Sequence, residues 1–391
     1  MKHTRFSRIF SLVACFLLAA TTVFAQPGGN QPRGDFPDVS YSAALARSVQ
    51  SDCMKKILAM PEFQEFFNAL TARIDAEYVK VSNQSAFPAP VADYFLDKVR
   101  DAKGKTEISS KDVIELLFTE FELLQLEAFA KKAYDAGAVK PGQNNPDVGK
   151  YVRLTVVTKF PPAELGGIVD FIPPFITMDM IKAMESDFLV SFSVPGPTDV
   201  KIFVGGQRLE GRSDYVTVLS LSREMVEQKL TQMQNERFRQ FLFSDNAPFE
   251  TVRLGKGVFD VLLAETQKKI DAGTANPGDN DFIRILEQVN SFSMITRDID
   301  GKTGTVIRLA LTNEDAAEGL KDLANGGKAF LRFMAGSATV DADAKKLINF
   351  VLDTEIVRDG TNLTATINWS NEAFLDMLKD GFKKGIAEIN K

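Results

Sequence analysis

The sequence predicts an α+β fold built from two tandem repeats, each an antiparallel sheet of about four strands with helices on one face. Three observations predict it: apolar residues alternate at period two, short turns join such runs, and capped helices follow them. Residues 353–382 show all three. Leu363 to Trp369 alternate with polar residues, Asp359-Gly360 provides a turn, and Ser370 stands at the N-cap of an apolar-striped helix. We expect antiparallel pairing because short turns connect the strands.

The first half of the chain begins with two helical patterns, over 43–60 and 62–78, in which apolar residues recur every three to four positions. A further helix is expected at 110–119. Strands then follow where β-formers alternate or cluster, and Ser222 provides an N-cap after the last of them. The predicted strands of this half cover residues 121–129, 151–158, 188–194, 200–204 and 215–221.

The second half repeats this order of elements. Helices are expected at 258–270 and 282–289, and strands at 292–299 and 305–311 around the Asp300-Gly301 turn. A helix with Ala316, Ala317 and Leu320 follows, and another near 345–352 leads into residues 353–382.

Two pairs of segments match between the halves. Residues 152–158 (VRLTVVT) resemble 306–312 (VIRLALT), and 215–225 (YVTVLSLSREM) resemble 363–373 (LTATINWSNEA). Near-constant offsets in the same order favour duplication. The alternative is that two strand–helix units look alike because they obey the same capping rules. The predicted repeats cover residues 41–234 and 235–391.

The second repeat also carries a recognisable pattern of residues. It consists of a helix pattern AA-GL--L followed by DG-N-TATI--S-E---ML; the residues are Ala316, Ala317, Gly319, Leu320, Leu323, Asp359, Gly360, Asn362, Thr364, Ala365, Thr366, Ile367, Ser370, Glu372, Met377 and Leu378. In this pattern the chain resembles uncharacterised secreted proteins of planctomycete-type bacteria. The resemblance implies an exported α+β fold and transfers no catalytic residue.

The N-terminus predicts export. Lys2, Arg5 and Arg8 precede an apolar run, and Val23-Phe24-Ala25 forms a small-x-small cleavage site. We expect a signal peptide over residues 1–25, cleaved after Ala25, and a flexible Pro/Gly/Asn-rich linker over 26–40. The product would be periplasmic or extracellular. The alternative, a lipoprotein acylated at Cys15, fits less well because few apolar residues precede that cysteine.

Composition excludes several classes of function. Removing residues 1–25 takes away three basic and no acidic residues, which moves the net charge from −6 to −9 and argues against nucleic acid or an anionic membrane as partner. No later run has the roughly 18 apolar residues of a membrane helix. The single histidine is His3, and Cys53 is the single cysteine after residue 25. Histidine-based catalysis and ordinary zinc sites are therefore excluded, and we expect no catalytic residue, cofactor or metal site.

One apolar segment, residues 165–184, differs between the halves. We expect a helix–break–helix there, either buried or forming an adaptable surface for a protein partner or an apolar small molecule, since Met side chains repack easily. The candidate surface residues are Ile168, Phe171, Ile172, Pro173, Pro174, Phe175, Met178 and Met180.

These observations favour an exported, non-enzymatic protein that binds a protein partner or belongs to the cell envelope. Two alternatives remain: a carrier of an apolar ligand or lipid, and a hydrolase that uses paired carboxylates, which needs no histidine.

Overall fold

The fold mixes helices with one antiparallel sheet, which confirms the α+β class. The computed structural model describes residues 37–82, 104, 121–138, 146–159, 177–183, 187–194, 200–243, 247–274, 279–299, 302–335, 348, 352, 354–368 and 372–389. The predicted signal peptide and most of the predicted linker lie outside these residues.

Twelve strands in the described part of the chain form a single sheet, in the order β11-β12-β10-β9-β8-β1-β2-β3-β7-β6-β5-β4. The strands are β1 (Val39–Ala43), β2 (Phe121–Ala128), β3 (Val152–Thr158), β4 (Thr177–Ala183), β5 (Asp187–Val194), β6 (Val200–Arg208), β7 (Tyr215–Ser220), β8 (Glu250–Leu254), β9 (Val289–Ile299), β10 (Lys302–Leu311), β11 (Glu355–Asp359) and β12 (Asn362–Asn368).

The described helices lie between and after these strands. They are α1 (Leu45–Ser48), α2 (Asp52–Ala59), α3 (Pro61–Ser82), α4 (Ala130–Asp135), α5 (Arg223–Gln234), α6 (Glu236–Phe243), α7 (Lys256–Asp271), α8 (Asp279–Glu287), α9 (Glu314–Ala335) and α10 (Glu372–Ile389), with a 3₁₀ turn at Pro146–Tyr151.

The short strand β1 joins the two halves of the sheet. It pairs antiparallel with β2 on one side and with β8 on the other, so that Tyr41 lies opposite both Leu126 and Val252. The expectation of about four strands in each sheet is therefore wrong, and the question of whether the sheets join, which the sequence left open, is answered: the described strands of both halves share one continuous sheet. The sequence did not predict β1, because this strand has only five residues (VSYSA) and its polar and apolar residues alternate weakly.

Helix α5 covers the first half of the sheet. Val226 and Met233 of α5 pack with Val157, Val216 and Val218, which are all fully buried. Ser222 caps the helix as predicted, because its hydroxyl accepts a hydrogen bond from the Met225 amide. We call this side of the sheet the α5 face.

Helices α7, α8 and α9 cover the second half, but on the opposite side. Phe259, Leu286 and Ala317 of these helices pack with Leu311 and Leu363. Residues directly opposite each other on neighbouring strands point to the same side, so the register traces this side across the whole sheet. It is the side of Tyr41 and Leu126, which we call the α9 face. Among the described residues, the helices of the two halves therefore pack mainly on opposite faces of the shared sheet, because apolar residues occupy opposite parities in the two halves.

A third packing cluster joins the early helices to the C-terminal helix. Phe63 and Phe67 of α3 pack with Leu375 and Phe382 of α10, and the Phe63 and Phe382 rings meet edge to face at 5.3 Å. Helix α10 follows the predicted turn and strand as expected, whereas its predicted cap, Ser370, lies outside the described residues.

The strongly alternating strands predicted from the sequence are confirmed, and the helices predicted at 258–270 and 282–289 correspond to α7 and α8, which begin two and three residues earlier. The predicted helices at 110–119 and near 345–352 lie outside the described residues, apart from positions 348 and 352. Gly205 and Gly206 look like turn residues in the sequence but lie inside β6. A Cβ on Gly205 would come within 2.7 Å of Val226 and Leu230 of α5, so the glycine permits close helix–sheet contact.

Candidate functional site

The predicted apolar surface is only partly within the described residues. Ile168, Phe171, Ile172, Pro173, Pro174 and Phe175 lie outside them. Met178 and Met180 lie in β4, the strand at one edge of the sheet, rather than in a predicted helix. Met180 is 54% exposed. The structure therefore places one end of the predicted surface on a sheet.

The α9 face carries an uninterrupted row of apolar and aromatic side chains across all twelve described strands. Each member lies directly opposite the next in the strand register. From one edge to the other, the row consists of Met180, Val190, Val204, Leu219, Leu154, Leu126, Tyr41, Val252, Met294, Ile307, Ala365 and Ile356. We call it the apolar row.

The two halves of the apolar row differ in what lies beside them. In the second half α7, α8 and α9 pack on this face, next to Leu309 and Leu363. In the first half α5 and α6 pack against the core on the other face, and the short helix α1 contacts β2. Leu126 is 42% exposed, Leu154, Leu219 and Val204 are half-buried, and Val190, which lies opposite Met180, is buried. Large exposed apolar side chains that are contiguous on a surface mark interaction sites.

A buried ionic cluster lies beneath α5. The Glu127 carboxylate accepts hydrogen bonds from Arg153 Nε and Lys229 Nζ, both at 2.8 Å, and Lys229 Nζ also donates to Gln125 Oε1 at 2.5 Å. All four side chains are buried, Lys229 completely. Charged residues at the buried parity of β2 and β3 were the sequence signal for this cluster, which sequence reasoning missed.

The pKa values in the cluster follow from burial and pairing. Burial lowers the pKa of Lys229 to about 8 against the opposing effect of Glu127. Burial alone would raise the pKa of Glu127, but the charges of Lys229 and Arg153 outweigh it, and the pKa lies below its usual value. The cluster links α5 to β2 and β3, and because Lys229 has no solvent access it offers no surface for a substrate.

A second buried carboxyl lies at the central seam. Glu250 on β8 faces the same side as Tyr41, to which it is hydrogen-bonded, and its Oε1 atom has no hydrogen-bond partner among the described residues. Burial raises the pKa of Glu250 to about 9, so it is protonated at neutral pH. A raised pKa occurs at functional sites but also in buried structural groups.

Few other features of the described residues could serve as a binding or reactive site. An open depression of about 310 Å³ is lined by Ala46, Arg47, Gln50, Glu122 and Lys159, with Lys159 paired to Glu122 at 3.5 Å. Within the described residues, no group of three His, Cys, Asp or Glu side chains is close enough to hold a metal ion. Burial raises the pKa of the Cys53 thiol to about 11.

Among the helices that the structure describes, none is long and apolar enough to cross a membrane.

Comparison with known proteins gives distant structural neighbours. No family model matches the chain, and no curated protein matches it. Solved structures of TP0453, a Treponema protein, align at 10% identity in three crystal forms. Form IV covers 88% of this chain and 94% of that chain at a TM-score of 0.36, form III 89% and 96% at 0.34, and form I 89% and 94% at 0.32. Similarity at this level supports no inference about function. The resemblance to secreted planctomycete-type proteins stays a prediction.

Proposed function

We propose that the chain is an exported, non-enzymatic binding protein, and that the first-half part of the apolar row docks a protein partner. The observation that carries the proposal is the exposure of Leu126 and Met180 in a row that otherwise consists of core-type residues. The N-terminal pattern of basic and apolar residues supports export.

The shape of this surface favours a protein over a small apolar ligand. Seven neighbouring strands from β1 to β4 span about 30 Å, and a few residues along each strand give a patch on the order of 500 Å². A standard interface buries roughly 800 Å² on each partner, so this patch could supply the larger part of one side of such an interface. A small-molecule site instead needs a concave, mainly apolar pocket, whereas the depression near Arg47 is lined by charged and polar side chains.

We also propose that the two halves arose by duplication. Outward from the centre, the first half runs β1-β2-β3-β7-β6 and the second β8-β9-β10-β12-β11. The same order of chain segments on both sides supports the proposal, as do the matched sequence segments. The additional strands β4 and β5 belong to the first half, and β4 lies within the segment 165–184 that differs between the halves.

Photo-crosslinking tests the docking proposal. A photoreactive residue at position 180 should give a discrete protein adduct in native envelopes, and Leu126→Lys in the same chain should abolish that adduct. Leu323 is the matched control position, since it is 62% exposed on α9, away from the first half. Leu323→Lys should leave the adduct unchanged. A lipid-sized adduct at position 180 would support the carrier alternative and contradict this proposal, as would no adduct.

A further inference from the structure

The α5 face of the second half carries, beside apolar residues such as Ile295 and Val306, arginines that form no ion pair with a described carboxylate. Arg253 on β8 and Arg308 on β10 both lie directly opposite Ser293 on β9. All three side chains therefore point to one side of the sheet, with the serine between the arginines. Neighbouring strands are about 4.8 Å apart, which places the two arginine Cα atoms about 10 Å apart. We propose that Arg253, Ser293 and Arg308 form a binding site for a phosphate group.

The hydrogen bonds of these residues leave donors available. Arg308 Nε donates to Asn362 Oδ1 at 3.0 Å, which orients the guanidinium group on this face. Arg253 is exposed, and no carboxylate among the described residues forms an ion pair with Arg253 or Arg308. By contrast, Arg153 and Arg358, on other strands, each bind a carboxylate. Unpaired guanidinium groups on one face can bind an oxyanion through paired N–H groups.

A third arginine extends the positive surface. Arg297 lies on β9 at the same parity as Ser293, four residues further along, and its Nε is buried without a hydrogen-bond partner among the described residues. A buried unpaired guanidinium nitrogen is costly unless a ligand satisfies it. Although the net charge of the protein is negative, these three arginines make this face locally positive, and a locally positive surface attracts anions.

The nearest carboxylates in the strand register do not cancel this charge. Glu127 lies two strands from Arg253, but it is occupied by Arg153 and Lys229. Glu355 and Asp359 point to the same side from β11, the edge strand two positions beyond β10. The site therefore favours a doubly charged phosphate over a single carboxylate, because two guanidinium groups, on either side of the buried Ser293, offer donors to several oxygens. This inference is independent of the docking proposal, since it concerns the other face of the sheet.

Calorimetric titration with inorganic phosphate at constant ionic strength tests the site. We expect saturable binding that weakens about tenfold or more in Arg253→Gln and Arg308→Gln, since each removes a charge-assisted contact. The phosphate affinities of Arg253→Lys and Arg308→Lys should lie between those of the unchanged protein and of the glutamine variants. Lysine keeps the positive charge but lacks the paired N–H donors of a guanidinium group. Arg223→Gln is the control, since this exposed arginine is paired with Glu227 on α5.

Two further probes identify the ligand class. Tighter binding of glycerol phosphate than of inorganic phosphate would indicate a phosphate ester as the natural ligand, and equal binding would indicate free phosphate. Acetate binding as tightly as phosphate would overturn the assignment. So would no saturable phosphate binding, or an equal loss in Arg223→Gln, provided that circular dichroism shows all variants folded.

Discussion

Glu127 is a single carboxylate bound by two buried cations, so the three charges of this cluster are not equivalent. Removing Lys229 leaves Glu127 paired with Arg153, whereas removing the charge of Glu127 leaves two buried cations without a counterion. The sequence indicated charged residues within apolar strands, but it could not pair them, because Lys229 comes from a helix about a hundred residues away from Glu127.

This asymmetry predicts the stability of two variants. Glu127→Gln should lower the free energy of unfolding by about 3–5 kcal/mol. Lys229→Met should cost less, about 1–3 kcal/mol, because Glu127 and Gln125 each lose one hydrogen bond while Glu127 keeps its ion pair with Arg153. Urea unfolding of both variants measures the difference. Equal losses would contradict the assignment of Glu127 as the common partner.

Glu250 predicts how stability depends on pH. Its pKa is raised to about 9 in the folded protein, so between the unfolded value of about 4.5 and pH 9 the folded state binds more protons than the unfolded state. The contribution of Glu250 to the free energy of unfolding is therefore largest below pH 4.5 and decreases as the pH rises from 4.5 to 9. We expect Glu250→Gln to flatten the decline between pH 5 and 9, measured by urea unfolding. An unchanged pH profile in the variant would show that Glu250 is ionised in the fold.

At the scale of elements, the contact between β6 and α5 depends on a missing side chain. Gly205→Ala would bring a methyl group within 2.7 Å of Val226 and Leu230, and α5 would have to move away from the sheet. We expect a loss of about 1–3 kcal/mol in the free energy of unfolding. Gly273→Ala, at a position with φ of +68° and no neighbour within 4 Å, separates backbone strain from this clash. If Gly205→Ala lowered the free energy of unfolding less than Gly273→Ala does, a steric clash would not be what limits the approach of α5 to β6.

The elements that the sequence predicted well are those with strong local signals. The alternating strands β2, β3, β7 and β12 and the capped helix α5 were recognised from their own residues. The strands β1, β4 and β8 were missed because they are short or irregular and become strands only by pairing. Two of the eight predicted surface residues, Met178 and Met180, belong to an edge strand and not to the predicted helix.

For the whole molecule, the continuous sheet predicts cooperative unfolding. Strand β1 is hydrogen-bonded to both halves, so unfolding one half removes the pairing partner of the other. Trp369, the single tryptophan of the sequence, belongs to the second half. We expect its fluorescence and the far-ultraviolet circular dichroism to change together in urea. Two separated transitions would show that the halves are independent domains.

The opposite placement of helices on the two halves could not be predicted from the sequence. A strand pattern indicates which residues share a side, but only the register between strands relates that side to its neighbours. The register shows that the apolar row continues from the helix-covered second half onto the first half. The proposed docking surface depends on this continuity.

Cysteine labelling at position 126 tests the proposed docking surface most directly. Cys53 is buried with a pKa of about 11, so it gives little background reaction with a thiol reagent. The thiol introduced by Leu126→Cys should react readily in the purified protein and much more slowly in opened native envelopes, where the partner covers it. The thiol introduced by Leu323→Cys should react equally in both. Equal labelling at position 126 in both preparations would contradict a docked partner on the apolar row.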